Sequence, residues 1–361
     1  MNKKILIDIG HPAQVHQFKN IYFELINKNY EVFFVAKNKE ISIDLLNIYK
    51  IPYFDIGKPK KGFFKKVINI PVSCYKFYKV CKKIKPSIIL SRISIHSAWV
   101  SYLLKINHIG FSDTENIGIV DNLTIPFVNV KLTSLSYEKQ LGKNHFRFPG
   151  YIESFYLHRN RFKPDFKIVE KYLGLNKQDK YVIIRFVSWN AHHDIGINGI
   201  SDSNKIKLVN NLTKYAKVFI SSECKLPKQI EKYKISIPIH EIHHIMAFSS
   251  LLYGESATMA SECACLGVPS IFLDNAGRGY TNEQELKYGL VSNYSLSLED
   301  QEKSIIKAID LVTLNKSNLI DKYRKLCDDT IDVTKFVIWV VINFPNSIDH
   351  LKNDKNIFKD F

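Results

Sequence analysis

Short apolar runs alternate with amphipathic stretches along most of the chain, and this alternation sets the expected elements. Lys4–Gly10 (KILIDIG) is apolar apart from Asp8, as a strand buried on both faces should be, and it ends in Gly10-His11-Pro12. Val15, Phe18, Ile21, Tyr22 and Leu25 then recur at helical spacing. Glu31–Ala36, Ile51–Ile56, Ser87–Leu90 and His108–Phe111 predict strands, with helices over Ile41–Ile48 and Ile95–Leu104 between them. Strands that alternate with helices in this way predict a parallel sheet covered on both faces, one doubly wound domain. Pro149–Asp165, with two prolines, mixed charge and aromatics, breaks the rhythm and reads as a linker. The pattern then restarts with strands at Tyr181–Phe186 and Val218–Ser221, helices at Lys205–Tyr215 and Ile239–Phe248, and helical periods over Ile305–Val312 and Leu319–Val341.

Leu251–Phe272 (LLYGESATMASECACLGVPSIF) condenses the plan into one stretch: strand, tight turn, helix, strand. Gly254 permits a close turn, Ser256 and Thr258 suit a first helical turn, and Gly267 stops the helix before the strand Ser270–Leu273. A helix N-terminus directly after a strand presents unpaired N–H groups and the positive end of the dipole, an anion site. The small residues Ser256, Ala257 and Thr258 and the bare Gly254 would let a phosphate approach the backbone, although an ordinary crossover has the same outline.

Composition narrows the class. The chain has 361 residues, enough for two domains, and an ordinary globular apolar fraction of 45%. The longest apolar candidate, Phe336–Phe344, is less than half a membrane span, and the N-terminal run reads as a first strand rather than a signal peptide. Six cysteines without paired metal-ligand spacing read as reduced, which predicts a cytoplasmic protein. The formal net charge is +16, and ten lysines fall within Lys58–Lys85, a segment without Asp or Glu that also carries Phe63, Phe64, Tyr75, Phe77 and Tyr78. Such a block favours an anionic partner: lipid headgroups, nucleic acid or a nucleotide-linked substrate. No nucleic-acid motif accompanies it, and its aromatics fall at helix-core spacing. It is therefore read either as a helix burying its aromatics or as a peripheral surface for an anionic membrane at the inner face.

Polar loops at the carboxyl ends of parallel strands are where such sheets bind ligands. There are four: Gly10–His16, Ser112–Asn116, Arg185–Asp194 and Gly254–Thr258. His11 can exchange a proton near neutral pH, and Asp113 and Glu115 are its rivals as general base. Two histidine sets have metal-ligand residue types, His240/His243/His244 on a presumed helix face and His192/His193/Asp194. Neither is completed by a further cysteine or acid, and no Asp-x-Asp pattern offers a divalent-ion site, so metal independence and no cofactor are expected.

GHPAQVHQFKN, GFSDTEN, PGYIESFYLHRNRFKPD and RFVSWNAHHDIG, together with GESATMASECACLGVPSI, resemble the signatures of a prokaryotic family of predicted GT-B glycosyltransferases catalogued as a domain of unknown function. More distantly the chain is similar to the lipid-II N-acetylglucosamine transferase and to UDP-N-acetylglucosamine 2-epimerases. The resemblance implies an α/β GT-B fold, two Rossmann-like domains facing across a cleft. The expected bounds are 1–155 on the acceptor side, 156–335 on the nucleotide-sugar side, and 336–361 packing back on the first domain. It implies a nucleotide-sugar site with Gly254, Ser256, Ala257 and Thr258 at the diphosphate, Glu262 at the ribose, Arg185 and Ser188 opposite the phosphates, His244 near the base, and Asn282 and Glu283 near the sugar. Glu255 departs from that pattern by placing a negative charge in the turn, and must point away from a bound diphosphate. The implied activity is transfer of a sugar, UDP-linked, to a saccharide or lipid-linked saccharide in cell-surface glycan synthesis. A same-fold 2-epimerase and a basic nucleic-acid-binding protein are the alternatives.

Overall fold

Most strands form where the apolar runs stand. Among the residues described by the computed structural model (3–38, 41–58, 63–115, 118–188, 199–315, 317–354 and 356–361) they make two sheets, each parallel throughout. The chain divides into two compact units, Met1–Arg161 with Thr330–Phe361, and Phe162–Asp329.

In the first unit the strands are β1 (Lys4–Ile9), β2 (Glu31–Ala36), β3 (Tyr53–Asp55), β4 (Ile88–Ser91), β5 (Asn107–Ser112), β6 (Val130–Ser134) and β7 (His145–Phe148), in the order β3-β2-β1-β4-β5-β6-β7. Its helices are α1 (Pro12–Asn27), α2 (Ile41–Ile48), α3 (Phe63–Ile84), α4 (Ile95–Leu103), α5 (Ile119–Thr124) and α6 (Ser154–Leu157). α1 begins with Pro12 at its first position, where a missing N–H costs nothing, and buries Val15, Phe18, Ile21 and Leu25. α3 is continuous through Pro71.

β6 and β7 carry no apolar signature. β6 is fully buried, yet it includes Lys131, whose ammonium reaches the Val128 carbonyl at 3.2 Å, and Thr133, which meets Nε2 of His145 at 2.8 Å. Mutual satisfaction lets polar side chains enter a core strand. The linker reading of Pro149–Asp165 is corrected for most of its length. Tyr151, Ile152, Phe155, Tyr156 and Leu157 are buried, and the Phe155 ring stands edge-on to Phe18, Phe111 and Phe148. The unit boundary falls after Arg161, whose guanidinium binds Glu24 and Asp332.

The second unit has β8 (Tyr181–Phe186), β9 (Lys217–Ser222), β10 (Leu251–Gly254), β11 (Ser270–Leu273) and β12 (Val291–Tyr294), in the order β12-β11-β10-β8-β9. Around them lie α7 (Phe166–Leu173), α8 (Asp202–Leu212), α9 (Ile242–Phe248), α10 (Ala257–Cys265), α11 (Gly279–Leu286), α12 (Leu298–Thr313) and α13 (Ser317–Asp329). Val182, Ile184, Leu208, Ile220, Tyr253 and Ile305 belong to one core that joins the sheet to α8 and α12.

The single helical period expected over Leu319–Val341 is two helices, α13 and α14 (Val333–Ile342), followed by α15 (Asn346–Asn353). The break falls where the chain leaves the second unit for the first. Asp332 ends the interruption by accepting the Lys335 N–H at 3.0 Å as the N-cap of α14. The units thus change hands at 161/162 and 329/330, not at the expected 155 and 335.

Candidate functional site

Each sheet has one place where strand order reverses, and there two neighbouring loops leave in opposite directions and open a crevice. In the second unit it lies between β8 and β10, where Gly254 stands in register with Arg185. A Cβ on Gly254 would come within 2.1 Å of the Arg185 carbonyl oxygen, so the missing side chain is required by a neighbouring strand rather than kept open for a phosphate. Ser256 is the N-cap of α10, its hydroxyl accepting the Met259 N–H at 3.3 Å, and Ala257 and Thr258 form the first turn. Glu255 is buried and accepts the N–H of Val187 at 2.9 Å and that of Ile200 at 2.7 Å. Its charge is therefore spent on the loop after β8, and the departure noted in the sequence is a structural anchor.

Arg185 and Ser188 converge on Glu223, a residue the sequence reading passed over. The guanidinium pairs with this carboxylate and donates to the Ser221 hydroxyl at 2.8 Å, while Ser188 donates to Glu223 from its hydroxyl at 3.1 Å. Arg185 Nε is buried without a hydrogen-bond partner. The available signal was KVFISSE, a further strand with a polar carboxyl end. Residues 189–194 of the third polar loop lie outside the described residues, His192, His193 and Asp194 among them.

Glu262 lies on the inner side of α10, buried, with Oε1 2.9 Å from Nε2 of the equally buried His243. His244 faces elsewhere: its Nδ1 accepts the Asp165 N–H at 3.0 Å and its ring lies 4.7 Å from Phe162. The expected shared helix face of His240, His243 and His244 does not form, because α9 starts only at Ile242 and His240 pairs with Glu241 at 3.6 Å. Among the described residues no group of three or more His, Cys, Asp or Glu could hold a metal ion. Asn282 is exposed and Glu283 half-buried, both beyond the first turn of α11. The N-cap of that helix is Arg278, whose guanidinium pairs with Asp274 at 3.3 Å.

In the first unit the reversal lies between β1 and β4, with Asp8 in register with Ser91. Here the structure brings together residues that no loop motif announced. Nε2 of His96 is 3.0 Å from either oxygen of buried Asp8, and the Ser94 hydroxyl donates to that carboxylate at 2.7 Å. Burial raises the carboxyl of Asp8, but the His96 charge and hydrogen bond, Ser94 and Lys37 outweigh it and hold it below its usual value. Ser94 also caps α4 in a reciprocal box with Ser97. From Ser97 the chain of bonds continues to Ser91 at 3.1 Å, then to Nε2 of His108 at 2.7 Å, and from Nδ1 of His108 to Ser101 at 3.2 Å.

This framework grips both sides of one strained residue. Ile93 has φ +32°, in the left-handed region that β-branched side chains avoid. Ser94 is pinned after it and Arg92 before it, the latter by an ion pair with Asp113. Ile93 lies against Gly110, where a Cβ would come within 2.5 Å of its Cγ1. The result aims Arg92 into a pocket of about 130 Å³ shared with Gln14, Asp113 and Thr114.

The three expected bases separate. Asp113 lines that pocket, bound by Arg92 and by the Thr114 hydroxyl at 3.0 Å. Glu115 turns to the Glu138 N–H at 2.7 Å. His11 is the exposed N-cap of α1, its Nδ1 accepting the Ala13 N–H at 3.3 Å, so the neutral ring carries its proton on Nε2. Proton uptake by His11 therefore requires the ring to leave its cap.

Comparison with known proteins places this architecture. A UDP-GlcNAc 2-epimerase from Neisseria meningitidis, solved bound to UDP-GlcNAc, superposes with a TM-score of 0.70 at 14% identity, over 94% of this chain and 99% of that one. MurG from Acinetobacter baumannii gives 0.59 at 14% identity, over 94% and 100%. The spinosyn rhamnosyltransferase SpnG, complexed with spinosyn aglycone, gives 0.57 at 12%, over 90% and 95%. No curated protein matches the sequence. The fold is GT-B, as the sequence motifs implied, with two Rossmann-like domains. Residues 3–283 match a family model, well over half of the chain, and the protein belongs to the family described as "Protein of unknown function (DUF354)".

Proposed function

We propose that this protein is a metal-independent glycosyltransferase that moves a sugar from a nucleotide-sugar, UDP-linked, to a saccharide or lipid-linked saccharide in surface-glycan synthesis. The observation that carries the reading is the strand reversal of the second unit. There the N-terminus of α10, capped by Ser256, stands beside a strand bearing Arg185, and α10 continues to a buried acid, Glu262. Helix N–H groups, the dipole and a guanidinium suit a diphosphate that becomes a leaving group. Arg185 is paired with Glu223, whose side chain is 48% exposed. Such a pair is worth little, so exchanging the carboxylate for a phosphate costs little. Glu262, oriented by His243, would accept ribose hydroxyls; His244 would lie near the base, and Asn282 and Glu283 near the sugar. The acceptor would bind in the first unit, with His11 as base once off its cap and Asp113 as its rival. Cytoplasmic residence follows from such substrates.

UDP titrated into the protein with chelator present should bind, and Glu262→Ala should weaken it at least tenfold, because a carboxylate–hydroxyl bond is charge-assisted. Unchanged affinity in the variant, or binding only with a divalent ion, refutes the donor-site assignment. His11→Ala should lower turnover ~100-fold with UDP affinity intact; normal turnover would move the base to Asp113. Incubation with UDP-N-acetylglucosamine alone separates the same-fold alternative, since an epimerised nucleotide-sugar without acceptor would make the protein a 2-epimerase.

A further inference from the structure

The outer face of α3 is built differently from its inner face. Phe77, Cys81 and Ile84 of α3 and Val100 of α4 enter one core cluster with Leu6, Val35 and Ile89, so both helices cover the same side of the first sheet. At 3.6 residues per turn, the opposite side of α3 carries Ile68, Val72 and Tyr75 and then Lys79, with Lys82 and Lys83 flanking that line on either side. The three apolar residues are 73%, 48% and 58% exposed, far from what an ordinary solvated helix face shows. Lys79 Nζ stands 4.6 Å over the Tyr75 ring, which joins the two halves. α4, packed against α3, adds Leu103, 68% exposed. From Asp55 to Asp113 the sequence contains no intervening carboxylate.

We infer that this α3–α4 face is a docking surface for an anionic lipid bilayer, its apolar stripe entering the headgroup boundary and its lysines engaging phosphate-bearing headgroups. Charge decides between occupants. A second copy would present the same patch in a two-fold interface, setting lysines against lysines with no acid in either segment. An anionic membrane supplies the missing charge, and the interfacial depth matches side chains of this size. Among the described residues no helix is long and apolar enough to cross a membrane, so the attachment would be peripheral and reversible. The inference goes beyond the nucleotide-sugar reading and does not depend on it, because its test reads no turnover.

The test is co-sedimentation of the full chain with vesicles of phosphatidylcholine, with and without phosphatidylglycerol. Binding should require the anionic lipid and weaken as salt rises. Lysines near such a surface contribute about fivefold each, so the triple variant Lys79→Ser, Lys82→Ser, Lys83→Ser should bind roughly a hundredfold more weakly. Val72→Ser with Tyr75→Ser should abolish the binding that persists at high salt while sparing the salt-sensitive part. These side chains are exposed, so melting temperatures should match the parent protein. Equal binding to neutral vesicles, no binding to anionic ones at low salt, or a triple variant that binds like the parent would overturn the inference. So would tighter binding to duplex DNA than to vesicles, or a dimer that Tyr75→Ser converts to monomer.

Discussion

Replacing His108 tests whether the polar framework of the first unit is as closed as it looks. The imidazole is fully buried, and the Ser101 hydroxyl beside it donates to the Ala98 carbonyl at 2.9 Å. Ser101 can then only accept, so Nδ1 of His108 carries the proton and Nε2 receives the Ser91 hydroxyl. A second proton would place a charge in a fully buried site. Burial, against a partial counter-effect from Asp8, pushes the group down to about 3. The unfolded chain takes up its proton near pH 6.5, so between pH 6.5 and 3 the unfolded state binds more protons and stability falls as pH falls. The gap of about 3.5 pH units, at 1.36 kcal/mol each, sets an upper bound of ~5 kcal/mol, of which ~2 kcal/mol is lost by pH 5. His108→Asn removes this component. It should cost about 1–3 kcal/mol at pH 7.5 through broken hydrogen bonds, and its deficit relative to the parent should shrink by ~2 kcal/mol by pH 5. Urea unfolding can be followed through Trp99 and Trp339, both in the first unit, in a background carrying Trp189→Phe. Parallel pH profiles for parent and variant would show that His108 titrates normally and that the closed framework is wrong.

Two further substitutions probe the second unit. Gly254→Ala puts a methyl group 2.1 Å from a backbone oxygen that no rotamer change can move, so β8 and β10 must part; a loss of about 3 kcal/mol in urea unfolding is expected, and under 1 kcal/mol would refute the close approach. Glu255→Gln turns one acceptor towards an N–H as a donor and should cost about 2 kcal/mol while weakening UDP, since the loop after β8 loses its anchor. Tighter UDP binding in that variant would mean that the carboxylate opposes the diphosphate after all.

Much of the fold was legible because parallel strands buried on both faces write continuous apolar runs. β2, β8, β11 and α2 occupy the residues their runs predict. β6 was not legible, since Lys131 and Thr133 are tolerated only because Val128 and His145 receive them. Nor was the burial of Tyr151–Leu157, whose neighbours Glu153, His158 and Arg161 give the segment a surface composition. Of the candidate site, the strand ends were visible and their partners were not. Glu223 answers Arg185 because β9 lies beside β8, and His96 answers Asp8 because β4 lies beside β1. Such pairings depend on strand order, which no local pattern encodes.

Strand order alone does not rank the residues it brings together; burial does. Asp8 and His96 are both under 5% exposed, and breaking a pair so enclosed strands an uncompensated charge, at 3–5 kcal/mol. Both oxygens of Asp8 are already taken, by His96 and by the Ser94 hydroxyl, so a ligand could recruit this carboxylate only by breaking the pair, and the pair is framework. Its effect is felt one step outward, where it holds Ser94 and with it the strained turn at Ile93. Arg92 and Arg185 stand at that outer position, each paired with a carboxylate that solvent reaches, Asp113 at 21% and Glu223 at 48% exposure. These pairs can open towards an incoming phosphate or hydroxyl without leaving a charge stranded. Each strand reversal thus has a cation beside it whose carboxylate partner solvent reaches. Substituting Arg92 or Arg185 should therefore cost ligand affinity more than stability, while substituting Asp8 or His96 should do the reverse.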